Sequence, residues 1–123
     1  MPDGWVETLM MSAMRRLCRT DDIPDGGAKG FPGPDGAFTG LIVIRQGERI
    51  YVYENACPHI GTPLDWTPDR FLSADGQYLI CATHGAQFTI ASGLCISGPC
   101  RGDHLTPINV EIIDGLIHVP HGG

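Results

Sequence analysis

A chain of 123 residues is long enough to bury the core of one domain but short for a catalytic domain joined to a carrier domain, so a single site is expected. Apolar residues make up 42%, a globular proportion, and 17 Gly with 10 Pro imply many tight turns between short elements. The net charge of -6 argues against a nucleic-acid surface, which would be basic, and suits either a plain soluble surface or steering toward a basic protein partner.

Residues 1–14 are expected to form an N-terminal arm or short helix, with Trp5, Val6, Leu9 and Met10 able to share one face. The remainder, 15–123, reads as a single domain. The opening stretch has no apolar run long enough for a signal core or a membrane span. Arg15 and Arg16 form a twin arginine without the apolar stretch that export would require, so both read as surface charge and the protein as cytoplasmic, with no membrane partner. DDIPDGGAKGFPGPDG, from Asp21 to Gly36, reads as turn and loop. LIVIR and RIYVYE, separated by Gln46, Gly47 and Glu48, predict a hairpin with a three-residue glycine loop. RFLSADGQYLIC predicts a second hairpin turning at Asp75 and Gly76, QFTIASGLCI a third turning at Ser92 and Gly93, and NVEIIDGLIHV a fourth turning at Asp114 and Gly115. Four hairpins with no helix beyond residue 14 predict an all-β, antiparallel domain.

Two stretches carry the chemistry: CPHIGTPLDW, beginning at Cys57, and CATHGAQF, beginning at Cys81. The segment between His59 and Cys81 contains the Asp75–Gly76 hairpin, whose return strand would carry the second stretch back beside the first. Five cysteines, an odd number with two of them beside histidines, fit a disulfide framework poorly and a metal site in a reducing compartment better. A finger-type zinc site would group two cysteines, then a helix, then two histidines, whereas the order here is Cys57, His59, Cys81, His84. With one thiol and one imidazole per loop, the two sulfurs can bind one iron and the two nitrogens another, inorganic sulfide bridging them; zinc in the same loops is the competing reading. His104, His118 and His121 have no carboxylate at the spacing of a mononuclear iron site and are expected to be exposed. Cys95 and Cys100 read as packing residues, with a disulfide or a second metal as alternatives, and Cys18 as core. Trp5 and Trp66 read as packing residues.

The paired stretches resemble the C-x-H and C-x-x-H boxes of Rieske proteins. LDW after the first box, SGLCISGP after the second and the closing DGLIHV extend the resemblance over about residues 15 to 119. It implies a Rieske-like antiparallel β-sandwich of short strands with a two-loop cluster-binding subdomain, its loops at about 57–66 and 81–88 and a covering loop at about 97–100. It implies one 2Fe-2S cluster per chain, with Cys57 and Cys81 on one iron and His59 and His84 on the other. Gly61 and Gly85 would let backbone N–H groups approach the cluster sulfurs, Pro58 and Pro63 would stiffen the first loop, and Gly98 and Pro99 would shield the cluster from water. High-potential members of the family carry hydroxyls where this chain has Ala86 and Phe88, and bridging cysteines where it has Gly61 and Thr83. These departures imply a low-potential centre. The function implied is a small one-electron carrier with no catalytic residues of its own, a ferredoxin passing electrons from a reductase to an oxygenase. The alternatives are a fixed Rieske subunit of a larger redox enzyme, similar to the small subunits of some nitrite reductases, and a zinc-stabilised or cluster-free interaction module.

Overall fold

The computed structural model describes residues 14–33, 40–58, 63–65, 70–82 and 85–120. The expected arm at 1–14 lies outside them, except that Met14 opens the first strand. In chain order the strands are β1 (Met14–Arg19), β2 (Ala28–Phe31), β3 (Leu41–Gln46), β4 (Arg49–Glu54), β5 (Tyr78–Ile80), β6 (Gln87–Thr89), β7 (Cys95–Ser97), β8 (Glu111–Ile113) and β9 (Leu116–Pro120). Among the described residues the helical content is one 3-10 turn, Thr20–Asp22. The strands form three antiparallel sheets of three, ordered β1-β9-β8, β2-β3-β4 and β5-β6-β7.

The central strand β3 explains the layering. Its first four residues, Leu41 to Ile44, are all buried, as expected of an uninterrupted apolar run covered on both faces. Side chains alternate along a strand, so Leu41 and Val43 face one way and pack with Val52, Ile117 and Val119, while Ile42 and Ile44 face the other and pack with Tyr53, Leu79 and Phe88. The first contact joins the β2-β3-β4 sheet to β1-β9-β8 as a sandwich. The second seats the β5-β6-β7 sheet and its loops on the opposite face.

Each predicted hairpin turn is present. Gly47 has φ 62, Gly76 φ 72 and Gly93 φ 72. At the last turn Asp114 and Gly115 both have positive φ, 53 and 74, the requirement of a type I′ hairpin. The first hairpin is tighter than expected: Gln46 pairs with Arg49, leaving a two-residue turn.

Three expectations are corrected. Ala28–Phe31, read as loop, is strand β2, paired in register with Leu41–Ile44. AKGF has little strand propensity of its own, and the exposed edge of a strongly apolar β3 recruits it. His118, expected at the surface, is buried at 4% because it lies on β9, the middle strand of its sheet; its Nδ1 lies 3.2 Å from the Leu116 carbonyl. Arg15 is half-buried rather than a free surface charge, and its guanidinium donates to the Pro32 carbonyl at 3.1 Å, whereas Arg16 is exposed as expected.

Candidate metal centre

The first loop leaves the end of β4, and Asn55 closes it. The Asn55 backbone N–H donates to the Gly40 carbonyl at 2.9 Å, fixing the residue against the middle sheet. Its side-chain oxygen accepts the Leu64 N–H at 2.8 Å, and its amide nitrogen donates to Asp65 at 3.0 Å. One buried side chain thereby joins the two ends of the loop that starts with Cys57. The sequence reading missed Asn55; the available signal was an amide residue just after a strand and two positions before a ligand-type cysteine.

The second loop is closed by its own backbone. The Cys81 N–H donates to the Ala86 carbonyl at 2.9 Å, and the Gly85 N–H returns a bond to the Cys81 carbonyl at 2.8 Å. Gly85 has φ 71 with open space where a Cβ would stand, so its conformation, not its surroundings, calls for glycine. The Ala82 N–H donates to the Leu64 carbonyl at 2.9 Å, tying the second loop directly to the first. The two loops therefore meet at their bases; the tips expected to converge lie outside the described residues.

Cys57 and Cys81 are 2% and 0% exposed, belong to the same apolar cluster and are not joined by a disulfide. His59, Gly61, Thr83, His84 and Trp66 lie outside the described residues, as do Trp5 and His121. Among the described residues no three potential ligands gather as a metal site. His104 is exposed as expected.

The third loop lies against the second and shares a buried cluster with the first. A Cβ on Gly98 would stand 2.8 Å from the Ala86 Cα, so only a glycine lets this backbone lie against the second loop. The Cys100 thiol donates to the Cys95 sulfur at 3.1 Å, and burial, followed by Cys95 and then Cys57, pushes it up to about 12. Pro99 is exposed on the outer side. Ala86 and Phe88 are both fully buried, so these two positions of the second box present carbon and no hydroxyl. Tyr53 braces the assembly from below: its hydroxyl donates to the Ile90 carbonyl at 2.6 Å, and burial raises its pKa to about 12.

The donor chemistry suits an iron–sulfur group. Two dry thiols on abutting loops can supply two thiolates to one iron, and water is kept from them by Leu64, Phe71, Phe88 and Leu105. A profile of the Rieske [2Fe-2S] domain matches residues 14–113. The chain belongs to the Rieske [2Fe-2S] family. It carries one 2Fe-2S cluster, which sets aside the zinc-only and cluster-free readings. Ferredoxin CarAc of Metapseudomonas resinovorans is 31% identical over 80 residues, covering 64% of this chain and 68% of the relative. Among solved structures, the complex of reduced oxygenase and oxidized ferredoxin in carbazole 1,9a-dioxygenase contains a chain 27% identical, with a TM-score of 0.71 and coverage of 89% of this chain and 94% of that one. The Sphingomonas yanoikuyae B1 ferredoxin is 25% identical with a TM-score of 0.65, covering 86% of this chain and 96% of its own. This Rieske protein is thus an electron carrier of the ferredoxin kind, not an enzyme in itself. Among the described residues no helix is long and apolar enough to cross a membrane.

Proposed function

We propose that Cys57 and Cys81 hold one iron of the cluster, that His59 and His84 hold the other, and that the chain carries single electrons from a reductase to a separate oxygenase in the cytoplasm. The observation that carries the ligand assignment is the pair of buried, unbridged thiols on loops joined by the Ala82–Leu64 hydrogen bond. The partner assignment draws on the relative whose solved structure is a ferredoxin–oxygenase complex.

When bound, the cluster supplies a one-electron couple whose two neutral imidazole ligands raise its potential above that of an all-cysteine centre. The protein's own residues set how it is used. Leu64, Phe71 and Phe88 exclude water from the thiolate side, while the exposed prolines Pro58, Pro63 and Pro99 on the three loops offer apolar surface for a brief, small contact with a partner. Ala86 and Phe88 give the sulfurs no hydroxyl to accept from, which places the potential in the lower part of the family's span of roughly -150 to +300 mV.

Redox titration of the purified holoprotein tests the reading. The midpoint is expected to stay level near neutral pH and to fall in alkali, where an imidazole on oxidised iron loses its second ring proton. Ala86→Ser and Phe88→Tyr, each adding a hydroxyl, should raise it. A potential that remains level into strong alkali rules out histidine ligation, and one that ignores both hydroxyls removes the low-potential argument.

A further inference from the structure

Outside the paired boxes the structure places two more thiols side by side. Cys95, the first residue of β7, and Cys100 are 1% and 2% exposed, and their Sγ atoms lie 3.1 Å apart. The loop between them is fixed by its backbone: the Cys95 N–H donates to the Asp103 carbonyl at 2.8 Å, the Gly102 N–H to the Cys95 carbonyl at 3.0 Å, and the Asp103 N–H to the Cys100 carbonyl at 2.9 Å. These bonds hold the two α-carbons together whether or not the sulfurs interact. A disulfide needs the sulfurs about 1 Å closer. The bridging positions of high-potential relatives hold Gly61 and Thr83 here, so this pair occupies a different place in the fold.

We infer that Cys95 and Cys100 form a second redox site, a dithiol that closes to a disulfide within the covering loop by exchange with a small-molecule disulfide. One protein thiolate attacks the small disulfide, forming a mixed disulfide and releasing one small thiol. The second protein thiol attacks the mixed disulfide, forming the Cys95–Cys100 bond and releasing the other small thiol. The pair gives up two electrons and two protons, which appear in the two small thiols released. Access requires only a local opening, because Ser97 to Pro99 and Arg101 to His104 are all exposed around the buried sulfurs. Both thiols share a buried cluster with Cys57, so closing the bond changes the packing around a residue assigned to the cluster. The pair is thereby placed to couple the redox state of the surroundings to the cluster.

The test equilibrates the cluster-loaded full chain, without oxygen, over a series of oxidised and reduced glutathione buffers. Cluster absorbance is recorded, and the chain is then denatured in acid and alkylated. The reduced chain should take up an alkyl group on each of its five cysteines; the oxidised chain should take up two fewer, be lighter by two hydrogens before alkylation and keep its cluster absorbance. Cys95→Ser and Cys100→Ser should each be labelled on every remaining cysteine across the series. Full labelling of the parent in the most oxidising buffer, a glutathione adduct that never resolves, a bond to Cys18, Cys57 or Cys81 instead, or a bond that forms only after the cluster is lost would each overturn the inference.

Discussion

The two faces of β3 look onto two cores of different chemistry. On one side Ile23, Leu41, Val43, Val52, Ile117 and Val119 form an aliphatic core between the two sheets of the sandwich. On the other, Ile42, Ile44, Leu79 and Phe88 share their cluster with the four thiols of Cys57, Cys81, Cys95 and Cys100. The sandwich is supported by long ladders, with β3 and β4 paired from Leu41–Glu54 to Gln46–Arg49. The β5-β6-β7 sheet has strands of three residues and is finished by loops that close through two or three hydrogen bonds each. The difference teaches where the fold's own stability ends: the sandwich is held by burial and ladders, whereas the site end depends on loop closures and on the group it binds.

Removing the ligand set should break the comparison most sharply. Cys57→Ser or Cys81→Ser is expected to abolish the visible absorbance and essentially all bound iron, because a cluster that binds only the folded state stabilises it by mass action. Amide exchange should then accelerate by orders of magnitude at Leu79, Cys81 and Phe88, while Val43, Val52 and Ile117 keep their protection. Equal loss of protection on both sides of β3 would show a single cooperative unit and refute the division.

A smaller effect tests the closure alone. Asn55→Ala removes the acceptor of the buried Leu64 N–H and the donor to Asp65. An unsatisfied buried donor costs about 1–3 kcal/mol. The variant should release iron to a chelator several-fold faster than the parent, with little change in the exchange of Val43 or Ile117. Unchanged iron release would mean that the first loop is held by its other contacts.

What could be read from the sequence follows the same division. Strands whose apolar pattern is complete within themselves, such as LIVI and LIHV, and turns fixed by local backbone demands, such as Asp114–Gly115, were legible because the information sits within a few residues. The family was legible because two Cys–His pairs at this spacing in glycine-bent loops have few uses other than metal binding. AKGF was not, since its strand exists only through pairing with β3, and neither was the burial of His118, which depends on β9 lying between β1 and β8. Asn55 was missed for a related reason: its role is to join backbone groups of two separate stretches, which no local pattern encodes. The proximity of Cys95 and Cys100 depends on how the loop after β7 turns back through Gly98 and Gly102, with φ 103 and 94.

The smallest prediction lies on the sandwich side and depends on pH. Cys18, half-buried on β1 against the aliphatic core, has its pKa raised from 9.0 to about 11, chiefly by burial and next by the Asp22 carboxylate, with Lys29 acting in the opposite direction. The folded pKa is above the unfolded one, so the thiol stays protonated in the fold while the unfolded chain begins to ionise near pH 9. Its contribution to stability is therefore complete below pH 9 and is lost as pH rises through 11. Two units would carry about 2.7 kcal/mol for a fully enclosed group. Solvent screening of this half-buried thiol reduces the expected effect to about 1 kcal/mol or less. Cys18→Val keeps the volume and removes the titration, so the difference in urea midpoint between variant and parent should move in the variant's favour between pH 8.5 and 11. Because Tyr53 titrates identically in both proteins, it cancels in that difference, and two parallel curves would show that Cys18 is effectively solvated.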